Sequence, residues 1–228
     1  MYMKPTAKLS FKITAVVLIF LVKVILCLEI RGRENLPATG PIIAICNHLH
    51  LVDPLVHIMS ILPRDSIFLA KEELFRIWPM PLFVLLMKIT HALPVPRKGT
   101  PEERREVLEK SLKVLEEGHV LGIYPEGKRS STGKLMMANP GPARLALRSG
   151  APLIAVGIYG TENLKGIGWL SRPRVVVTFG KPFTLPPQEH EPSVTKIQQL
   201  TGVIMEQLCA VLPSKYHGYY GKLGENPL

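Results

Sequence analysis

Residues 44–56 read AICNHLHLVDPLV and place His48, His50 and Asp53 within six positions, directly after an apolar run. Two chemistries use these residue types. A His-x-His followed by Asp is a start for a metal site, where imidazole and carboxylate ligands converge on one ion. His48 and Asp53 suit a different task, a general base and the carboxylate that orients it.

The metal reading needs ligands that the chain does not line up. Asp53 comes three residues after His50 and is followed by Pro54, so the spacing of a His-x-His-x-Asp-His cluster is missed by one. His91, His119, His190 and His217 stand in strand starts or loops, with no Asp/His cluster beside them. His50 and His57 then read as ordinary loop and helix residues. The base reading fits the local pattern better. The strand PIIAIC ends at Cys46, so Asn47 and His48 leave its carboxyl end, where α/β sheets hold their ligands. Asp53-Pro54 is a good helix start, with Asp as N-cap and Pro in the first turn. One tight turn lets the carboxylate accept from one imidazole nitrogen while the other faces a substrate. Taken alone, Asp53 reads equally well as a plain cap.

A second stretch, YPEGKRSSTGK at 124–134, weights the choice toward a base. It leaves another strand with Pro, an acid, a glycine, two adjacent cations and hydroxyls. Gly127 permits a tight backbone, and Lys128 and Arg129 with nearby amides suit a phosphate. A carboxylate repels phosphate, so Glu126 reads as a scaffold or hydroxyl partner. A third basic point, Arg97-Lys98, precedes a helix whose N-terminus favours anions.

The elements that must position these residues alternate between strand and helix. Short apolar runs at 41–46, 66–70, 91–95 and 119–125 read as strands, as do APLIAVGIYG and RVVVTFG. A helix follows Pro54. Another is capped by Thr100, with Pro101 at its first position and Glu103 completing a capping box; Gly118 stops it. Val107, Leu108, Leu112 and Leu115 line one face of that helix. Residues 141–150 form a short helix ended by Gly150, and 193–212 an amphipathic one. The expected fold is a single α/β domain with a mainly parallel central sheet flanked by helices.

At 228 residues the chain is long enough for one domain with a full core. Lys and Arg outnumber Asp and Glu by 28 to 18, a net charge of +10 that favours anionic partners. With 7% aromatic residues and no zinc-finger or RNA-binding signature, nucleic acid is not expected. Hydrophobic residues make up 46% and the mean hydropathy is +0.19, which points to lipid contact. Cys27, Cys46 and Cys209 form neither a disulfide framework nor a metal pair and read as reduced thiols.

Residues 13–30, ITAVVLIFLVKVILCLEI, are interrupted by Lys23 and lack a signal-peptide cleavage site. On a helix Lys8, Lys12 and Lys23 fall within roughly 60° of one another, opposite Val17, Phe20, Leu21 and Val24. That pattern predicts a helix lying in the headgroup region. A second apolar stretch, 74–90, carries Trp78 and Lys88 and suits either an interface or a Pro-started core helix. The expected organisation is a membrane-associating segment at 1–30, a catalytic domain at 31–212 and an irregular tail at 213–228.

The blocks NHLHLVD, ALPVPR, YPEGKRS and APLIAVG, in this order, resemble the glycerophospholipid acyltransferase family, and within it the 1-acylglycerol-3-phosphate acyltransferases. The likeness covers about residues 29–185. It implies that His48 takes the proton from an acceptor hydroxyl and that Asp53 orients it. It also implies that Arg97, Glu126, Gly127 and Arg129 hold the acceptor's phosphate. Lys128 stands where the family usually has Thr, which adds a cation, and Tyr124 stands where Phe is usual. The implied reaction moves a fatty acyl group from acyl-CoA or acyl carrier protein to lysophosphatidic acid, giving phosphatidic acid. No resident cofactor or metal is implied, and the implied setting is the cytoplasmic face of a membrane with an anionic surface. Other acceptors (glycerol-3-phosphate, another lysophospholipid, a lyso-aminolipid) keep the same chemistry. A metal-dependent hydrolase and a non-catalytic lipid-binding protein are the readings from other classes.

Overall fold

A computed structural model describes residues 26–71, 92–96, 99–164, 172–188 and 190–221. Seven strands among them form one sheet: β1 (Cys27–Arg31), β2 (Ile42–Cys46), β3 (Ser66–Lys71), β4 (Leu93–Val95), β5 (Val120–Ile123), β6 (Leu153–Tyr159) and β7 (Arg174–Phe179). Their order across the sheet is β1-β7-β6-β2-β5-β3-β4. Every neighbouring pair is parallel except β6 with β7. The helices are α1 (Asp53–Ile61), α2 (Pro101–Glu116), α3 (Gly141–Ser149) and α4 (Val194–Ala210).

The strand at the centre explains the two layers. All five residues of β2, IIAIC, are buried, as a parallel strand covered on both faces requires. Side chains alternate across the pleat. Ile43 and Ile45 enter one core with Leu121, Ile123 and Leu153, beneath Val114 and Leu115 of α2, Leu145 of α3 and Ile204 and Leu208 of α4. Ile42, Ala44 and Cys46 enter the other with Ile154, Val156, Val175 and Val177, against Val56 and Ile61 of α1. Burying each Ile contributes about 1.5–3 kcal/mol, and a one-residue slip would exchange the two cores.

Local signals hold where they are geometric. The Thr100 capping box is formed in both directions: Glu103 N donates to Thr100 Oγ1 at 3.2 Å and Thr100 N to Glu103 Oε2 at 2.7 Å. Gly150 ends α3 at φ +63°. In α4, Ile197, Leu200, Ile204 and Leu208 form the buried face. Within β5, Gly122 is required by close approach, since a Cβ there would lie 2.3 Å from the Phe68 ring.

Two expectations are corrected. Residues 27–30, read as the end of the membrane-associating segment, belong to β1, which runs parallel to β7 with Leu28 beside Val175 and Ile30 beside Val177. Glu29 is tied there by Arg31 (2.7 Å) and by Nε of Arg174 (2.8 Å), contacts that place a charged row on this edge of the sheet. The apolar stretch ahead of it, 1–25, and the stretch 74–90 lie outside the described residues. No helix among the described residues is long and apolar enough to cross a membrane. Of the tail read as irregular, residues 213–221 are described and contain two short turns; 222–228 lie outside the described residues. Ser214–Tyr216 and Gly218–Tyr220 form 3-10 turns, with Tyr216 and Tyr220 only 5% and 7% exposed. At the opposite edge of the sheet, β4 is three residues long and contains Pro94.

Candidate active site

Three adjacent strands deliver the site. β6, β2 and β5 run side by side in the same direction, so the residues that follow them emerge together at one rim of the sheet. That rim is where an α/β sheet holds ligands. Asn47 manages the exit of β2. Its amide donates to Ile158 O and its Oδ1 accepts from Ile158 N, both at 2.7 Å, so the side chain continues the ladder as the backbone turns away.

His48 and Asp53 are brought together as their spacing predicts. His48 Nδ1 lies 2.8 Å from Asp53 Oδ2, with the imidazole side chain 16% exposed and the carboxylate fully buried. The same Oδ2 accepts from the backbone amides of Leu49 and His50, each at 2.7 Å. Oδ1 accepts from Thr161 Oγ1, also at 2.7 Å. Four donors converge on one carboxylate, which satisfies its buried charge. A carboxylate only accepts, so Nδ1 carries the hydrogen of this bond, and in the neutral imidazole Nε2 holds the lone pair. The helix cap expected of Asp53 is not made. Asp53 is the first residue of α1, and its carboxylate reaches back over the preceding turn rather than forward onto the helix amides. His50 serves that turn through its backbone amide, and no three His, Cys, Asp or Glu among the described residues gather into a metal-binding group.

Behind the imidazole lies Tyr124, at the end of β5, stacked on it with ring centres 4.3 Å apart and planes at 25°. Phe68 stacks on Tyr124 in turn at 5.6 Å. The Tyr124 hydroxyl is buried with no partner among the described residues, and its burial pushes the phenol well above its usual range. A parallel pair sits deeper: Cys46 Sγ lies 3.4 Å from His57 Nδ1. Burial drives His57 down to about 3 and the Cys46 thiol well up, so both are neutral packing groups.

Glu126 accepts from two backbone amides, His48 N on Oε1 at 3.4 Å and Met136 N on Oε2 at 2.8 Å. Burial pushes its carboxyl up to about 7 against the opposing pull of these amides. Gly127 turns the chain with φ +69°, a conformation that favours glycine; a Cβ there would stand 3.0 Å from Asn139 Nδ2. Lys128 and Arg129 follow on the exposed rim, and Ser130 N returns to His48 O at 2.8 Å. The loop bearing the two cations is thereby fastened to the histidine's own backbone. Arg97 lies outside the described residues. Thr161 was not anticipated from sequence, although Gly160-Thr161 follows β6 as Asn47-His48 follows β2. The rule that flagged the end of β2 would have flagged it too.

A model of the acyltransferase family matches residues 27–159. The 1-acyl-sn-glycerol-3-phosphate acyltransferase of Borreliella burgdorferi is 30% identical over 134 residues, which are 59% of this chain and 52% of that protein. The enzyme of the same name from Bacillus subtilis is 27% identical over 190 residues, 82% of this chain and 90% of that one. The chain thus spans about half of the first relative (52%) and nearly all of the second (90%). In fold, the chain resembles the 1-acyl-sn-glycerophosphate (LPA) acyltransferase PlsC from Thermotoga maritima, with a TM-score of 0.60 at 22% identity, covering 90% of this chain and 82% of the other. The family match begins with β1, ends with β6 and takes in His48, Asp53 and the Glu126 loop: the chain belongs to the acyltransferase family.

Proposed function

We propose that the protein transfers a fatty acyl group from an acyl thioester, acyl-CoA or acyl carrier protein, to the free hydroxyl of a 1-acylglycerol-3-phosphate, forming phosphatidic acid. The observation that carries this reading is the Nδ1 contact of 2.8 Å between His48 and a fully buried Asp53, which in the neutral imidazole puts the hydrogen on Nδ1 and the lone pair on Nε2. Nε2 takes the proton from the acceptor hydroxyl as its oxygen attacks the thioester carbonyl. The C–O bond forms, the C–S bond breaks, and the thiolate leaves with the proton returned from His48. Asp53 stabilises the transient imidazolium and fixes the tautomer. General-base action contributes about 10²–10⁴-fold, and alignment and oxyanion stabilisation supply the remainder.

Arg129 and Lys128, exposed on a loop tied to His48, supply cations for the acceptor's phosphate, and Arg97 is the third in this reading. Gly127 allows the loop its turn, and Glu126 shapes it through the two amides rather than by touching phosphate. The reaction so written needs no resident cofactor. The Lys stripe and apolar side of the residues before β1 support attachment to the cytoplasmic face of an anionic membrane.

The test is to incubate the purified full chain with a panel of lyso-acceptors and acyl thioesters, with and without chelator, and identify products by mass spectrometry. Acylated lysophosphatidic acid is expected, with His48→Ala inactive yet still bound to anionic vesicles. Retained turnover in that variant sinks the base assignment. Loss of activity to chelator, restored by zinc, would favour the metal-dependent hydrolase instead.

A further inference from the structure

Two paths, each made of hydrogen bonds joined by one step along the backbone, leave His48 in opposite directions, and both arrive at Tyr216. The first starts at the imidazole: Nδ1 to Asp53 Oδ2 at 2.8 Å, then Asp53 Oδ1 from Thr161 Oγ1 at 2.7 Å. The next residue, Glu162, accepts from Gly160 N on Oε2 at 2.7 Å and from the Tyr216 hydroxyl on Oε1 at 2.6 Å. The second starts at the backbone: His48 N to Glu126 Oε1 at 3.4 Å, then Met136 N to Glu126 Oε2 at 2.8 Å. Leu135, the neighbour of Met136, donates its amide to Tyr216 O at 2.8 Å and accepts from Tyr219 N at 3.0 Å.

We propose that Tyr216 is a positioning residue for His48, closing a ring of hydrogen bonds that begins and ends on the histidine and is anchored in the C-terminal segment Ser214–Tyr220. This rests on the reading of His48 as the general base. One arm of the ring sets the tilt of the imidazole through its orienting carboxylate, and the other sets the position of the backbone that carries it. Fastening both arms to one residue, one through its hydroxyl and the other through its backbone carbonyl, restrains the turn after β6 relative to the loop after β5, and His48 lies between them. The tyrosine is itself well held. It is 5% exposed, and its ring stands 5.5 Å from that of Tyr159. Burial and the Glu162 carboxylate hold its phenol above the ordinary range, so it remains a donor. Tyr220 adds a second clasp on the same loop, its hydroxyl accepting from Ala138 N at 2.9 Å. Thr161, Glu162 and Tyr216 all lie beyond residue 159, where the family match ends.

Tyr216→Phe keeps the ring, its packing and the backbone carbonyl, and deletes only the bond to Glu162. Measured on the full chain with lysophosphatidic acid and acyl-CoA, kcat is expected to fall about 5- to 20-fold while KM for the acceptor holds, because misplacement of a catalytic group acts on the chemical step. Glu162→Gln, which weakens the same bond from the other side, is expected to lower kcat in the same way and carries the test if Tyr216→Phe does not fold. Combining Tyr216→Phe with Thr161→Val is expected to cost less than the product of the single losses, since both act through one arm. An unchanged kcat in both single variants, or strictly multiplicative losses, overturns the ring. His48→Ala separates the two readings. If that variant stays active, the base assignment fails. If it is inactive while Tyr216→Phe and Glu162→Gln keep wild-type kcat, only the role of Tyr216 fails.

Discussion

Thr161 Oγ1 donates to Asp53 Oδ1 at 2.7 Å, across 108 positions of sequence, and so completes the fourth bond to a carboxylate that water does not reach. Thr161→Val removes that donor with little change in shape and leaves Oδ1 without a described partner. The expected cost is about 1–3 kcal/mol of stability, with kcat reduced and restored by Thr161→Ser. Thermal unfolding and steady-state kinetics on the three proteins check it. Unchanged stability and kcat in the valine variant would show that three donors suffice.

Asp53→Asn changes the tautomer problem directly. The amide nitrogen faces the Leu49 and His50 amides if it takes the place of Oδ2, or the Thr161 hydroxyl if it takes that of Oδ1, and an amide does not hold the proton on Nδ1 of His48 as a carboxylate does. The expected fall in kcat is about 10³–10⁴-fold with the fold retained. Circular dichroism and product formation measured together decide this, and a near-wild-type rate reduces Asp53 to a structural role.

Glu126 makes a pH prediction with a definite sign. Its carboxyl is raised in the fold from 4.5 to about 7, first by burial. Between those values the folded protein holds a proton that the unfolded chain has released, so stability falls as pH rises through this window and stays lower above it. Glu126→Gln removes the slope, on top of a constant cost from the amide left facing a donor. Between roughly pH 4.5 and 7 the difference in stability should move toward the variant by up to about 3 kcal/mol. A difference that does not change with pH would return Glu126 to the ordinary carboxyl range.

Tyr124 separates ring from hydroxyl. The ring stacks on His48 at 4.3 Å, whereas the hydroxyl is buried with no partner among the described residues. Tyr124→Phe therefore keeps kcat and leaves stability unchanged or raises it by about 1 kcal/mol, since an unsatisfied polar atom is removed. Tyr124→Ala should cost about 3–5 kcal/mol and release the imidazole's back wall, with a fall in kcat that Phe restores. A phenylalanine variant as impaired as the alanine one would assign the hydroxyl a role that its surroundings do not suggest.

How much of this was legible depended on how far apart in sequence the partners lie. His48 and Asp53 are five residues apart at the end of an apolar strand, so residue type and spacing raised the pair beside a plain helix cap, and the loop at 124–134 weighted the choice. The Thr100 box was legible for the same reason. Glu126 was visible as a scaffold in an exceptional loop, but its two amides, at His48 and Met136, are named only once β2 and β5 lie side by side. Thr161 stands at a strand's carboxyl end, the position that marked His48, but its partner is set only by the closed sheet; no local pattern marks Tyr216. The strand Cys27–Arg31 was misread because it continues an apolar run whose composition suits a lipid surface and a buried strand alike. Its partner, β7, begins 147 positions after it. The antiparallel setting of β7 also leaves no mark in its own residues.

The two outer strands carry a consequence for association. A bare strand edge templates further strands and so invites fibrils or swapped dimers. Here Pro94 removes a donor from the three-residue strand at one margin. At the other margin Glu29, Arg31 and Arg174 form a row of paired charges. Both margins of the sheet formed by the described residues are poor templates, so copies of the chain gain little from joining edge to edge.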